Sequence, residues 1–275
     1  MIVRADEGND DSPSGVRTLR ISARNATLDG FDFNPDTQMR SVALMQATTD
    51  SHALFRLIND AHSTVGDLFF GTVTGLGDGL VISLLCSLLM LFRLRLGIAS
   101  ILAYLISGLI AQILKRLFDM PRPPAVLDHV HVLGRTLTSH SFPSGHATSD
   151  GVMVLLAFLI WSRRDWRSWS VAVLFVLAAI GRIYVGVHFP LDVAVGLVIG
   201  TATMWLFWRW SARWPTATWE KSAWSWKIPG LIVAVQAAVL GLGYHIQPST
   251  SAPLTLIMPV ASLVILMQVW KQKGS

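Results

Sequence analysis

The sequence is 275 residues long, with 52% hydrophobic and 14% charged residues, a mean hydropathy of +0.50 and a net charge of +5. This composition is too apolar for one soluble domain and is typical of a protein that crosses a membrane several times. The positive charge does not indicate binding to nucleic acid, because the basic residues lie in short loops between apolar segments. The single cysteine, Cys86, excludes an intrachain disulfide.

The N-terminal part of the chain is polar. Residues 1–53 carry eight acidic and five basic side chains and few large apolar ones, so we expect a disordered or loosely attached tail. This stretch has no apolar core of a signal peptide, and we therefore expect the first spans to insert without a cleaved leader. Residues 54–75 mix polar side chains such as Asn59 and Asp67 with large apolar ones, which predicts one amphipathic interfacial helix.

The rest of the chain alternates apolar segments with short polar loops. After a glycine-rich turn, this pattern predicts an all-α polytopic transmembrane helix bundle of about six to seven spans. Several segments are shorter than the ~20 residues of an upright span. The apolar segments are 80–92, 96–114, 147–161, 169–187, 191–208, 228–246 and 254–270.

Basic residues distinguish the two membrane faces. Eleven lie in one set of alternate loops and five in the other, so the positive-inside rule makes the first set cytoplasmic. Nearly all of the 11 tryptophans lie at or near that same face, as expected for an interfacial belt. The side on which the N-terminal tail lies stays open. The first set comprises Arg93, Arg95, Arg163, Arg164, Arg167, Arg209, Arg213, Lys221, Lys227, Lys271 and Lys273, and the second comprises Lys115, Arg116, Arg122, Arg135 and Arg182.

Ionisable residues gather on the predicted outer face, first at 181–192. A charged side chain at membrane depth costs on the order of 2.5–3.5 kcal/mol and therefore marks a candidate functional site. Arg182 closes one apolar run, and Pro190 begins the next helix, so His188 lies in the break between them. Asp192, in the first turn of that helix, can reach back to the imidazole. A carboxylate there fixes the tautomer and leaves the other ring nitrogen free to attack.

The longest outer loop, 115–146, carries two further clusters. Lys115 and Arg122 are seven residues apart, which is two helical turns, so both cations can face one pocket although prolines end the helix near there. Ser144 and Gly145 immediately precede an apolar helix, where free backbone N–H groups form an anion site that a glycine lets an anion approach closely. With the nearby histidines, these groups suit an anion of phosphate size.

Each cluster alone has a simpler interpretation. Basic residues at span ends commonly extend to the interface, the Ser-Gly pair can serve as a helix cap, and His188 can be a polar contact between helices. The order, spacing and shared side of the clusters favour a single site instead. A metal site is the remaining alternative, built from Asp128, His129, His131 and His140, but this set offers no further ligand at metal spacing. We therefore predict neither a metal nor a cofactor.

Together the three motifs resemble the type 2 phosphatidic acid phosphatase superfamily of membrane lipid phosphatases. The family pattern is Lys-x6-Arg-Pro, then Pro-Ser-Gly-His, then Ser-Arg-x5-His-x3-Asp. The one departure is Gly181, where the family usually has serine, and the similarity covers roughly residues 80–210. The matching residues are 115–123, 143–146, Arg182, His188 and Asp192.

The resemblance implies a mechanism without a metal. His188 would attack phosphorus and form a phosphohistidine, with Asp192 orienting the ring. His146 would protonate the leaving group and then activate water. The implied phosphate ligands are Lys115, Arg122, Ser144, Gly145 and Arg182.

The resemblance also implies a substrate class and a location. It implies hydrolysis of a lipid phosphate or diphosphate, such as polyprenyl (for example undecaprenyl) diphosphate, phosphatidic acid, phosphatidylglycerol phosphate or lipid A. The loop charges would put the site on the extracytoplasmic face of the plasma (inner) membrane. On this interpretation, the partners are the bilayer and the lipid substrate, and the oligomeric state stays open. The catalytic core would be 76–212, followed at 213–275 by a cytoplasmic loop and two C-terminal spans.

Two other functions remain open. A lipid phosphotransferase could use the same intermediate, with an alcohol replacing water. An anion or lipid transporter without catalysis is the alternative from another class, but the sequence has no inverted repeat and its polar groups gather at one face. A soluble vanadium haloperoxidase, whose site is similar, is excluded by the spans.

Overall fold

The computed structural model describes residues 49–273, which all lie within one compact unit. The predicted tail therefore lies almost entirely outside the described residues. Two single-turn 3-10 helices, Gly75–Gly77 and Ser249–Ser251, supplement the α-helices, and residues 49–273 contain no strand, which confirms the all-α prediction. The helices are α1 (Thr49–Asn59), α2 (Thr64–Thr74), α3 (Gly79–Phe92), α4 (Leu94–Phe118), α5 (Pro123–Val126), α6 (Gly145–Ile160), α7 (Trp166–Tyr184), α8 (Pro190–Ser211), α9 (Thr216–Trp219), α10 (Trp224–Leu242) and α11 (Leu254–Lys273).

Every predicted apolar segment coincides with a helix. Five helices of the described part are long and apolar enough to span a membrane, and α2 with α3, bent by 56°, can form a sixth span. The helix α6 is apolar but has only 16 residues. A seventh full-length span is therefore not present among residues 49–273. The first residue of α6, Gly145, belongs to the predicted anion site.

The predicted interfacial helix at 54–75 is in fact two helices. The chain breaks after Asn59, and Ser63 caps α2 by accepting a hydrogen bond from the Gly66 backbone N–H at 3.1 Å. A serine at this position satisfies one of the free N–H groups and so favours a new helix start. Leu57 and Val65 are exposed, which leaves both helices with an apolar outer face.

Close packing of α6 against α8 aligns their first turns. Gly196 and Gly200 of α8 are four residues apart, a spacing of small residues that lets two helix backbones approach. A Cβ atom added at Gly196 would lie only 2.7 Å from the Ser144 carbonyl oxygen. The Ser144 N–H also donates to the Asp192 carbonyl oxygen at 3.0 Å. The start of α6 is thereby held beside the start of α8.

The antiparallel arrangement separates the two ends of the bundle. Because α4 and α7 finish where α6 and α8 begin, the predicted site residues lie at one end. At the other end, Lys273 donates to the Leu91 carbonyl oxygen at 3.3 Å, and the rings of Trp226 and Trp270 lie 5.5 Å apart. Basic and aromatic residues therefore gather opposite the site.

The C-terminal helix pair docks on α2 and α3 through a loop. Ser251 Oγ donates to the Gly71 carbonyl oxygen at 2.6 Å, and Tyr244 donates to Asp78 Oδ2 at 2.9 Å. These contacts tie residues outside the motif region to the turn between α2 and α3.

Candidate active site

His188 lies in the tight turn between α7 and α8. The turn contains Gly186 in the left-handed region, with φ of 79°, and Phe189 in an extended conformation before Pro190. Proline sets the first helical φ of α8 and disfavours the helical region for the residue before it. His188 is therefore held outside both helices, where it is only 3% exposed.

Asp192 orients the imidazole as the sequence spacing predicts. Its Oδ2 lies 3.3 Å from His188 Nδ1 and accepts the Phe189 backbone N–H at 2.9 Å. Ser141 Oγ donates to the same oxygen at 2.5 Å. Several donors thus converge on one carboxylate oxygen, which fixes its position next to the ring.

Arg122 approaches the opposite nitrogen of the same ring. Its Nη1 lies 3.1 Å from His188 Nε2 and donates to the Val187 carbonyl oxygen at 3.0 Å. A guanidinium group has donors only, so Nε2 must be the acceptor and the proton must be on Nδ1. Burial first, and then the charge of Arg122, hold the pKa of His188 well below its usual value of 6.5. The ring is therefore neutral at neutral pH, with a lone pair on Nε2.

The loop before α6 holds Lys115 and Arg122 through backbone carbonyl groups. The His140 carbonyl oxygen accepts from Lys115 Nζ at 2.7 Å and from Arg122 Nη2 at 3.2 Å. His140 has a φ of 56°, a conformation uncommon outside glycine, which often marks functional sites. Carbonyl dipoles orient these cations without neutralising their charge.

The sequence predicts that prolines end the helix near Arg122, and the helix ends still earlier, so helical spacing does not relate the two cations. The helix α4 ends at Phe118, and Asp119 has a left-handed φ of 38°. Arg122 therefore lies beyond the helix, as the cap of α5. The turn and the following prolines bring its guanidinium back toward the site.

The start of α6 presents backbone N–H groups, as predicted. Ser144 is the N-cap residue, and its buried hydroxyl accepts from the Ala147 N–H at 3.4 Å. A Cβ atom added at Gly145 would have no atom within 4 Å, so this glycine faces open space. His146, in the first turn, is partly exposed. An anion could reach the N–H of Gly145 without displacing protein atoms.

Arg182, near the end of α7, is the third cation of the predicted phosphate site. It is 8% exposed, like Lys115 and Arg122, and its charge interacts with that of Arg122. Its Nε has no hydrogen-bond partner within the described residues. The fold therefore brings every predicted site residue to one end of the bundle.

Sequence reasoning missed two residues of this region. Ser141 precedes the Pro-Ser-Gly-His motif and had no assigned role, although it contacts Asp192. Asp150 is a fully buried carboxylate on α6. An acidic residue inside an apolar segment is itself a signal of a functional position, and this signal could have been used.

The residues of the alternative metal site have other partners. His131 Nε2 lies 3.0 Å from Asp67 Oδ1, and His140 Nε2 lies 3.4 Å from Asp119 Oδ1. Across the part of the chain that is described, no three His, Cys, Asp or Glu side chains form a group that could hold a metal ion. His131 and His140 are thus used in contacts with other carboxylates.

Comparisons with known proteins agree with these motifs. The model of the PAP2 superfamily matches residues 96–216. An undecaprenyl-diphosphatase of Sulfolobus acidocaldarius is 31% identical over 120 residues, covering 42% of this chain and 56% of that protein. A lipid A 1-phosphatase of Rhizobium etli is 36% identical over 106 residues, covering 34% of this chain and 41% of that protein. The chain thus spans about half the length of the curated relatives that it matches.

Solved structures extend the similarity to the whole fold of the core. LpxE of Aquifex aeolicus is 32% identical with a TM-score of 0.56, and the match covers 60% of this chain and 98% of that one. A transmembrane PAP2-type phosphatidylglycerolphosphate phosphatase of Bacillus subtilis, at 21% identity and a TM-score of 0.51, shares the fold. These neighbours and the apolar helices identify an integral membrane protein. From its three motifs, its fold and these matches, the chain belongs to the PAP2 superfamily.

Proposed function

We propose that this chain hydrolyses a lipid phosphate or diphosphate through a phosphohistidine intermediate. The observation that carries the proposal is the position of His188 between Asp192 at Nδ1 and Arg122 at Nε2. A neutral imidazole with its lone pair on the side of the cations is ready to attack an anion bound there. Family membership supports the reaction class.

In the first step, His188 Nε2 forms a bond to phosphorus while the bond from phosphorus to the leaving oxygen breaks. An incoming phosphate oxygen would replace Nε2 as the acceptor of the Arg122 N–H, which frees the lone pair for attack. Asp192 stabilises the positive charge that develops on the ring. His146, at the open end of α6, donates a proton to the leaving oxygen.

In the second step, water attacks the phosphohistidine and releases inorganic phosphate. His146, now neutral, accepts a proton from the water, and His188 regains its lone pair. Lys115, Arg122 and Arg182 stabilise the phosphoryl oxygens in both transition states, together with the Gly145 N–H. The Ser144 hydroxyl can join them only by giving up its weak 3.4 Å contact with the Ala147 N–H.

The substrate class follows from the relatives and from the membrane location. Relatives named for undecaprenyl diphosphate and for lipid A make these two lipids the first candidates. Phosphatidic acid and phosphatidylglycerol phosphate present the same phosphate chemistry. A lipid head group can reach the site because the site lies at one end of the bundle, where an interfacial phosphate would be found.

We place the protein in the plasma (inner) membrane with the site on the extracytoplasmic side. The excess of Lys and Arg at the opposite end of the bundle supports this orientation. On this orientation, the enzyme acts on lipids that have already crossed the membrane.

A lipid phosphotransferase remains the second candidate function. The same phosphohistidine would transfer its phosphoryl group to a lipid alcohol when that alcohol replaces water. A transporter without catalysis is less consistent with the site, since the charged groups converge on one imidazole instead of following a path.

The decisive experiment is phosphate release by the purified full-length protein in detergent. The panel contains undecaprenyl diphosphate, lipid A, phosphatidic acid and phosphatidylglycerol phosphate, each with and without a lipid alcohol acceptor. Free phosphate supports hydrolysis, whereas a phosphorylated acceptor supports phosphotransfer. If none of these lipids gives either product, the proposal is refuted.

A further inference from the structure

Asn59 is a fully buried polar side chain at the end of α1 that the proposed reaction does not use. Its Nδ2 donates to the carbonyl oxygens of His131 and Tyr184, both at 2.8 Å, and its Oδ1 accepts the His131 backbone N–H at 3.0 Å. A buried amide destabilises a fold unless its donors and its acceptor are bonded, and here both kinds of group have partners. One side chain of α1 thus joins the loop before α6 to the last residue of α7.

The loop segment held in this way lies against the turn that carries His188. The Leu133 N–H donates to the Val185 carbonyl oxygen at 3.2 Å. A Cβ atom added at Gly186 would collide with the His131 carbonyl oxygen, so the two backbones touch at this glycine. The position of the loop therefore limits the position of the turn, two residues before the proposed nucleophile.

Phe55 of α1 contacts the other end of the same turn. Its side chain is fully buried, and its ring centroid lies 5.6 Å from that of Phe189, the residue after the proposed nucleophile. The same apolar cluster contains Ala147, the residue after His146. Phe55 and Asn59 are four positions apart and so share one face of the helix. This face of α1 contacts the chain on both sides of the nucleophile.

A second carboxylate helix position, Asp67 of α2, holds the side chains of the same two residues. Its Oδ1 accepts the Tyr184 hydroxyl at 2.9 Å and lies 3.0 Å from His131 Nε2. Asn59 thus holds the backbones of this pair, and Asp67 holds their side chains. Both α1 and α2 lie outside residues 96–216, the part of the chain that the family model matches.

A nucleophile in a turn depends on such contacts. His188 lies between two helices, so helical hydrogen bonds do not fix its backbone. Asp192 and Arg122 contact the two ring nitrogens, but the Cα atom from which the ring extends is placed by the turn. A displacement of about 1 Å from the productive geometry can slow a reaction by about 100-fold.

We propose that α1 is a positioning element of the active site, in which Asn59 and Phe55 hold the turn between α7 and α8 so that His188 Nε2 is aimed at phosphorus. This role rests on the proposed phosphatase function. Neither residue contacts the substrate, and both act through the backbone on either side of His188. The N-terminal helix is then part of the catalytic unit, although it lies outside the matched region.

The test compares Asn59→Ala and Phe55→Leu with the wild type, as purified full-length proteins. We expect kcat to fall by about 10- to 100-fold in each variant. The ratio kcat/KM should fall by the same factor, because the lost contribution is made in the transition state. Ser251→Ala is the matched control, since Ser251 Oγ is also fully buried and also bonds a backbone carbonyl group, that of Gly71 on α2. It should lower the melting temperature but leave kcat unchanged at temperatures where every protein is folded.

The ring of His188 provides a readout that needs no substrate. In the wild type, 15N-labelled histidine should show a protonated Nδ1 and an unprotonated Nε2 for His188, with the signals assigned by their loss in His188→Ala. Asn59→Ala and Phe55→Leu should shift these signals, whereas Ser251→Ala should not. If Asn59→Ala does not fold, Phe55→Leu decides.

Two results would overturn the proposal. One is an unchanged kcat in the variants of α1, and the other is an equal loss of kcat in Ser251→Ala. If the wild-type protein releases phosphate from no lipid, the proposed function fails, and the ring signals then decide on the positioning alone. Shifted signals in the variants of α1 support it, and unchanged signals refute it.

Discussion

The hydroxyl of Ser141 donates to Oδ2 of Asp192 at 2.5 Å, the same oxygen that faces His188 Nδ1. Ser141 is fully buried, and its backbone N–H donates to the Met120 carbonyl oxygen at 2.9 Å. The loop that carries Arg122 therefore also fixes the carboxylate that orients the nucleophile. Both sides of the imidazole are controlled from one loop.

This relationship predicts a role for Ser141 that the family motifs do not mark. In Ser141→Ala, Asp192 loses one of the groups that orient it, and we expect kcat to fall by about tenfold. KM should change less, because Ser141 contacts the phosphate ligand Lys115 through its backbone carbonyl oxygen, at 3.4 Å, and the substitution keeps that group. Ser139→Ala is the control, since the Ser139 hydroxyl contacts only the exposed His140 ring. Equal kcat values for both variants and the wild type would contradict this prediction.

His188 is predicted to be the nucleophile. His188→Ala should lower turnover by at least about 1,000-fold, as expected when a covalent nucleophile is removed. Asp192→Asn should impair turnover severely, because the ring loses its orientation. Quenching with a denaturant at alkaline pH after labelled substrate is added should leave a phosphoryl group on the wild-type protein that is stable in base and labile in acid. Normal turnover by His188→Ala would exclude this assignment.

The pH dependence should report the neutral state of His188. Because burial and Arg122 lower the pKa of His188, the reactive neutral ring is present at neutral pH and is lost only as the pH falls through that lowered value. Arg122→Gln removes a positive charge, so the pKa should rise and the acid limb of kcat/KM should move to higher pH. Comparing the two proteins on one substrate cancels the ionisation of the substrate itself. An acid limb that moves to lower pH in Arg122→Gln would contradict the sign of this effect.

Phosphate binding is predicted to need no metal. Lys115, Arg122 and Arg182 provide the positive charge that a metal ion would otherwise supply. EDTA should therefore leave the rate of phosphate release unchanged, and vanadate, which can mimic five-coordinate phosphorus, should inhibit. Loss of activity in EDTA that Mg²⁺ or Zn²⁺ restores would refute this prediction.

Sidedness can be tested by labelling single cysteines. In a Cys86→Ser background, Thr138→Cys lies in the exposed loop near the site, and Ser162→Cys is exposed at the opposite end of the bundle. A membrane-impermeant maleimide should label Thr138→Cys in intact cells and Ser162→Cys only after lysis. The reverse pattern would place the site on the cytoplasmic side and change the pool of available lipids.

Several features of the fold and the site were predictable from local sequence. Apolar segments long enough to satisfy all backbone hydrogen bonds in lipid must be helical, and these segments indeed form the bundle. Pro190 and Asp192 belong to one turn, so their spacing alone predicted that the carboxylate reaches His188. Basic residues at alternate loops likewise predicted which ends of the helices lie together.

Other features depended on contacts between distant parts of the chain. Ser141 and Asp192 are 51 positions apart, and only the packing of α6 against α8 brings them together. The same holds for Arg122, which reaches His188 because its loop leaves the helix, and not because of helical spacing. Hydropathy and turn propensity depend on residues that are close in the sequence. The sequence by itself therefore determined the helices, which of their ends carry the charged residues, and the residues of each motif. The distance between two side chains on separate segments is decided by how their backbones pack, so only the tertiary structure decided which atoms of the site meet.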